Sequence, residues 1–183
     1  MDNGASSYRR FLDGDESAFD DIMKELFRPL VFFIDRYVHD SHTAEDIAID
    51  VFSDLIVHKH RYNFKVTLKT YLFMLGRSRA LNCIKHKKII EFTELSEARE
   101  LPDDGVSPVE AVIADEIRRN ISNAVSKLPR DMREAVLLVH FEEITYSEAA
   151  KIMKKSRKQI DNLLYRAKKE LRIILGEDGD LQI

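Results

Sequence analysis

Two helix-start signals stand eleven residues apart near the C-terminus, and the spacing leaves room for one kind of local architecture between them. Thr145-Tyr146-Ser147-Glu148 has the capping-box form: the hydroxyl accepts from a free backbone N–H three residues on, and the carboxylate there accepts in return from the cap's own N–H. Ser156-Arg157-Lys158-Gln159 repeats the form. Between them Ala149, Ala150, Ile152 and Met153 predict a helix of about two turns, its alanines small enough for a neighbouring helix to come close. After the second signal, apolar residues fall at Ile160, Leu163, Leu164, Ala167, Leu171 and Ile174, one stripe of an amphipathic helix. The opposite side carries Lys158, Asn162, Tyr165, Arg166 and Lys169. Residues 151–172 hold nine basic side chains against Asp161 and Glu170, a local charge of +7.

A short capped helix, a tight turn and a basic amphipathic helix predict a helix-turn-helix, which lays its second helix in a DNA major groove. Arg157, Lys158, Asp161 and Asn162 stand where base edges are met, and Tyr165, Arg166 and Lys169 where phosphates are. Asp161 repels phosphate, so it either accepts from a cytosine amino group or faces solvent. A helical hairpin with a solvated basic face would share the periodicity. The doubled capping signal and the concentrated charge favour DNA.

The rest of the chain bounds the alternatives. With 183 residues it can form one ordinary domain or two small ones. Four prolines, six glycines and no tryptophan argue against a turn-rich β fold, so the class expected is all-α. Apolar runs are too short to span a bilayer, the N-terminus is polar, and the single Cys83 excludes an internal disulfide, so the cytoplasm is the expected compartment. His58 and His60 have no cysteine partner at zinc spacing, and no phosphate-binding glycine loop or nucleophile motif is present. An enzyme is therefore not expected, nor a metal or cofactor. Cys83, on a basic helix, reads as a buried helical thiol before a redox sensor. The net charge of −3 is uninformative, but its distribution is not. Residues 77–88 hold five basic side chains and no acid, residues 151–172 are basic as above, and residues 91–116 between them hold nine acids against Arg99. Two basic surfaces joined by an acidic connector suit a chain that touches DNA twice.

Along the first half, residues 16–39 have helical periodicity, with Pro29 predicting a kink or break. Thr43, with Asp46 three residues on, predicts a cap for a helix running to about Lys59. That helix has one apolar face of Ile47, Ala48, Val51 and Leu55, a second edge of Ile49, Phe52 and Ile56, and between them the acidic stripe Asp46, Asp50, Asp54. The second edge either buries against another helix or serves a partner. Thr67 predicts a third helix to about His86 or Lys87, with Leu68, Tyr71, Leu72, Leu75 and Ile84 inward. Aromatic and basic side chains interleave on it, a mixture that suits single-stranded nucleic acid, while Tyr71 and Phe73 would equally serve as core. Gly76 inside it costs about 1 kcal/mol relative to alanine. Residues 89–113, acidic and holding Pro102, Gly105 and Pro108, read as a linker. A second helical unit follows, with helices over about Asp115 to Lys127 and Arg130 to Phe141.

These motifs resemble a known family. Leu128-Pro129, Arg133-Glu134-Ala135-Val136-Leu137-Leu138, Tyr146-Ser147-Glu148-Ala149-Ala150 and Tyr165-Arg166-Ala167-Lys168-Lys169-Glu170-Leu171 resemble region 4 of the extracytoplasmic-function (ECF) sigma factors of bacterial RNA polymerase. Ala18-Phe19 through Pro29, Glu45-Asp46-Ile47 with Asp50-Val51-Phe52, and Tyr71-Leu72 with Arg77 and Ala80-Leu81-Asn82 resemble region 2. The resemblance implies a region 2 bundle over 1–88, a linker over 89–113, a region 4 helix-turn-helix over 114–176 and an acidic tail over 177–183. It implies docking of Asp46, Ile49, Asp50 and Phe52 on the β′ clamp helices of core RNA polymerase. Lys69, Tyr71, Arg77, Asn82 and Lys85 would open the −10 element, holding one base out of the stack. Ser156 to Lys169 would enter the −35 groove, region 4 would touch the β flap, and an anti-sigma factor is an expected partner. Ile49 stands where glutamine is common, Tyr71 where tryptophan is, Lys154 where a turn glycine is, and Asp161 and Leu163 where basic residues are. The rival reading is a stand-alone helix-turn-helix regulator that never joins polymerase.

Overall fold

The computed structural model describes residues 4–94 and 121–175. Among them the regular structure is helical, with no strand. The chain divides into two compact units, Met1–Leu101 and Pro102–Ile183. Most of the acidic connector (95–113), the first residues of the second unit and the acidic tail lie outside the described residues.

The first unit contains α1 (Ala5–Leu12), α2 (Ser17–Val38), α3 (Ser41–Val57) and α4 (Leu68–Glu94). Its core is drawn from all four, with Tyr8 and Phe11 from α1, Ile22, Leu26, Leu30, Phe33 and Ile34 from α2, Val51, Phe52 and Leu55 from α3, and Leu68, Leu72 and Phe73 from α4, all buried. α2 packs on each of the other three.

α1 has no counterpart among the helices expected from sequence, and three expectations change. This short helix is held by burial of Tyr8, whose hydroxyl donates to the carbonyls of Leu55 (3.1 Å) and Lys59 (2.8 Å). α2 is not divided at Pro29, for it runs unbroken from Ser17 to Val38. A proline removes one N–H from the ladder, and here Leu26, Leu30, Phe33 and Ile34 bury on either side of it. The cap of α3 is Asp40, not Thr43: the Asp40 carboxylate accepts from the Thr43 N–H at 3.1 Å. The chain leaves α2 through a left-handed His39 (φ 53°) and starts the next helix at once, so Thr43 already lies in its first turn. Finally, α4 continues to Glu94, so residues 89–94 are helix and not linker. No glycine or proline stops it before Pro102, and each residue added to a formed helix gains a backbone hydrogen bond.

Gly76 has a use that offsets its low helix propensity. A Cβ built there would lie 2.9 Å from Leu30 Cδ1 and 3.1 Å from Ile34 Cδ1. The missing side chain is what lets α4 lie close on α2.

The second unit contains the helical residues 121–126 (α5), α6 (Arg130–Val136), α7 (Tyr146–Met153) and α8 (Arg157–Leu175). The helix expected to reach Phe141 does so, but its last turn, Leu137–Phe141, widens to π geometry. There the Glu142 N–H donates to the Leu137 carbonyl at 3.0 Å. α8 packs on α6 and α7, and its buried stripe of Ile160, Leu164, Ala167 and Leu171 meets a core that includes Met132, Leu138, Ala149, Ile152 and Met153.

Candidate nucleic-acid interface

Both helix starts of the helix-turn-helix carry reciprocal caps. At α7 the Glu148 N–H donates to Thr145 Oγ1 (3.3 Å) and the Thr145 N–H donates back to the Glu148 carboxylate (3.2 Å). At α8 the Gln159 N–H donates to Ser156 Oγ (3.2 Å) and the Ser156 N–H to Gln159 Oε1 (2.7 Å). The turn between them is made by Lys154 in the left-handed region (φ 54°, ψ 44°). The next N–H, that of Lys155, donates to the Ala150 carbonyl at 2.9 Å, which closes the end of α7. The Lys155 ammonium reaches Asp131 of α6 at 2.9 Å, tying the turn to the scaffold.

Sequence-predicted residues of α8 fall where the stripe requires. Arg157, Lys158, Asp161, Asn162, Tyr165, Arg166 and Lys169 are all exposed, opposite the buried stripe. Tyr165 is 75% exposed, a phenol standing off the helix rather than packing on it. Ser156 is exposed too, with its hydroxyl oxygen engaged as the cap. Leu163 is half-buried and belongs to the inner side. His140, in the π turn, has its pKa lowered by burial and then by the Lys168 ammonium.

The first unit brings together only part of its predicted set. At about 100° per residue, Tyr71, Asn82 and Lys85 share one side of α4 within about 60°. Arg77 lies about 120° from Tyr71 and Lys69 about 160°. Asn82 and Lys85 are exposed, Tyr71 half-buried. The Lys69 ammonium instead sits over the Phe73 ring at 5.6 Å. Cys83 is half-buried. On α3, Asp46, Ile49 and Asp50 are exposed, Ile49 at 51%. Phe52 is not on that surface. It is 2% exposed, its ring 5.8 Å from Phe27 and 6.2 Å from Phe19, and it supports the outer edge from beneath. The outer edge continues instead through Ile56 and Val57, at 42% and 72% exposure.

Residues outside the predicted set gather where α3 meets α4. Asp54 receives Arg61 Nη1 at 3.2 Å, Arg79 Nη2 at 3.3 Å and His58 Nε2 at 3.5 Å. Beside it the Tyr62 and Tyr71 rings lie 5.2 Å apart and those of Tyr62 and Phe64 4.6 Å apart, with the Arg9 guanidinium of α1 over Phe64 at 5.0 Å. Burial raises the Tyr71 phenol, the Asp54 charge raises it further, and Arg61 and Arg79 oppose. The aromatic and basic letters of residues 61–65 were a signal for this cluster. Its closure by Tyr8 and Arg9 of α1 has no counterpart in sequence spacing. Among the described residues no group of three His, Cys, Asp or Glu is placed to hold a metal, and no helix is long and apolar enough to cross a membrane.

The geometry defines a chain of two helical units, the second carrying a doubly capped helix-turn-helix with a basic outer face. The family model described as sigma-70, region 4 matches residues 118–171. The ECF RNA polymerase sigma factor SigM of Bacillus subtilis is 28% identical over 85% of this chain and 93% of its own length. The RNA polymerase sigma-H factor of Pseudomonas aeruginosa is 25% identical over 86% of each. Among solved structures, the sigma factor RpoE in its complex with the anti-sigma factor NepR, from Bartonella quintana, superposes with a TM-score of 0.66 at 18% identity, over 87% of this chain and 98% of that one. CnrH, in its complex with the cytosolic domain of CnrY, gives 0.62 at 16% identity over 96% of each. The chain is thus similar over most of its length to ECF sigma factors, and its second unit matches sigma-70 region 4.

Proposed function

We propose that this chain binds core RNA polymerase and directs it to its promoters, acting in the cytoplasm by binding and catalysing no bond chemistry itself. The observation that carries this reading is α8. It is capped at its start by a reciprocal Ser156–Gln159 pair and buried along one side. Its other side presents Arg157, Lys158, Asn162, Tyr165, Arg166 and Lys169 to solvent. A helix so fixed can enter a −35 major groove with its first turn at base edges and its later turns at phosphates.

In the first unit, Tyr71, Asn82 and Lys85 of α4 would meet the opened −10 strand, with Lys69 and Arg77 supporting it from other sides. Asp46, Ile49 and Asp50 would dock on the β′ clamp helices, with Phe52 holding that edge in place. The second unit would also touch the β flap. We assign residues 1–88 to region 2, with the helix beyond them continuing α4, and 114–176 to region 4, joined by the acidic connector. An anti-sigma factor is a proposed partner, and the solution of RpoE with NepR supports that expectation.

The test is run-off transcription with purified core polymerase on a library of promoter fragments. Promoter-dependent transcripts and co-elution of the chain with core enzyme are expected. A chain that binds DNA alone as a dimer, and never co-elutes with core enzyme, would instead be the stand-alone regulator.

A further inference from the structure

We propose that Asp54 is a positioning residue for DNA binding by the first unit. Its carboxylate holds the guanidinium groups of Arg61 and Arg79 as a phosphate would, and so withholds both from sequence-blind backbone binding. The inference rests on the reading that α4 meets promoter DNA.

Three observations carry it. The stripe Asp46, Asp50, Asp54 is uniform in sequence but not in structure. Asp46 and Asp50 are exposed and take no ion pair among the described residues, whereas the Asp54 side chain is 15% exposed and is met by two guanidinium groups and the His58 imidazole. Both Asp54 oxygens lie 3.2 Å from Arg61 Nη1, and one lies 3.3 Å from Arg79 Nη2. Carboxylate and phosphate oxygens are interchangeable partners for a guanidinium. The arginines are also within reach of a strand, for their side chains are 60% and 31% exposed beside the Tyr62–Tyr71 ring pair. Released together, two arginines at this junction would add affinity for any backbone and dilute the preference for a promoter.

The experiment measures promoter affinity of the holoenzyme against salt for the full chain, Asp54→Asn, Arg79→Gln and the double variant. In Asp54→Asn the log–log slope should steepen by about 1.4 to 1.8, two freed cations at about 0.7 to 0.9 each, and discrimination against a scrambled −10 element should fall. Arg79→Gln alone should change the slope by less than half a charge. In the Asp54→Asn background the same change should remove about 0.7 to 0.9. That non-additivity is the signature of the restraint, and a merely structural aspartate would lower the melting temperature without it. Equal slopes in wild type and a folded Asp54→Asn overturn the proposal. If Asp54→Asn shows no cooperative melt, Arg79→Gln decides: loss of a full charge in the presence of Asp54 overturns the proposal, and an unchanged slope supports it. A wild-type chain that forms no holoenzyme brings down the sigma reading and the inference with it. A working wild type with an insensitive Asp54 brings down the inference alone.

Discussion

Lys154 adopts a backbone conformation that side chains avoid, at φ 54° and ψ 44°. The left-handed region costs an L-residue about 1–2 kcal/mol through Cβ crowding, and glycine escapes that at an entropic cost of about 0.5–1 kcal/mol. Lys154→Gly should therefore stabilise the second unit by about 0.5–1 kcal/mol in urea unfolding, with the fold unchanged. Tyr8 is the corresponding point of tension in the first unit. Burial, aided by Tyr71 and Tyr62, pushes its phenol up to about 12 from the ordinary 10. A pKa raised in the folded state stabilises fully below the unfolded value and is lost as pH rises through the folded one. The first unit should thus lose stability between about pH 10 and 12. Tyr8→Phe should be less stable at neutral pH by about 1–2 kcal/mol, the one hydroxyl proton shared between two carbonyls being lost, yet should lose this part of the alkaline decline. Urea melts of both chains at pH 8 to 12 give the comparison. At this scale the sequence was partly legible: Lys154 was recognisable as a departure in a turn, whereas Tyr8 depends on carbonyls about fifty residues away, which no local pattern encodes.

Among the elements, the two capped helices were legible because a capping box is a local device: both partners lie within four residues and the geometry follows from the spacing. The exposed basic face of α8 then leads to a definite expectation. Arg166→Ala with Lys169→Ala should weaken binding to all DNA sequences alike and reduce the salt slope by about 1.8, two charges on a duplex. A filter-binding titration from 50 to 400 mM salt checks it, and an unchanged slope would remove both residues from the phosphate contacts. α3 was less legible. Its apolar period identified Ile47, Ala48, Val51 and Leu55 as inward, but could not decide whether Phe52 faces a partner or the core. That is set by Phe19 and Phe27 across the helix pair. Likewise Asp54 looked equivalent to Asp46 and Asp50, because its cations come from the following loop and from the next helix. Charge stripes show which side of a helix is polar, and only packing separates the solvated acid from the paired one.

In the molecule as a whole, composition and the absence of β signals indicated a helical fold, whereas the loss of helical period expected from residue 89 falls inside α4 and short of the division after Leu101. What sequence could not set was the length of α4. Helix propagation carried it past the expected end at His86 or Lys87 to Glu94, and Gly76, which looked like a weakness, proved to be the contact point with Leu30 and Ile34. An uninterrupted helix of this kind is a ruler. Tyr71 and Lys85 are separated along it by about 21 Å, roughly the length of six stacked nucleotides at about 3.4 Å each. Inserting one residue between them would swing the far end by about 100° while leaving every side chain in the sequence. On the reading proposed for α4, the number of residues between those two positions is therefore constrained as tightly as their identity.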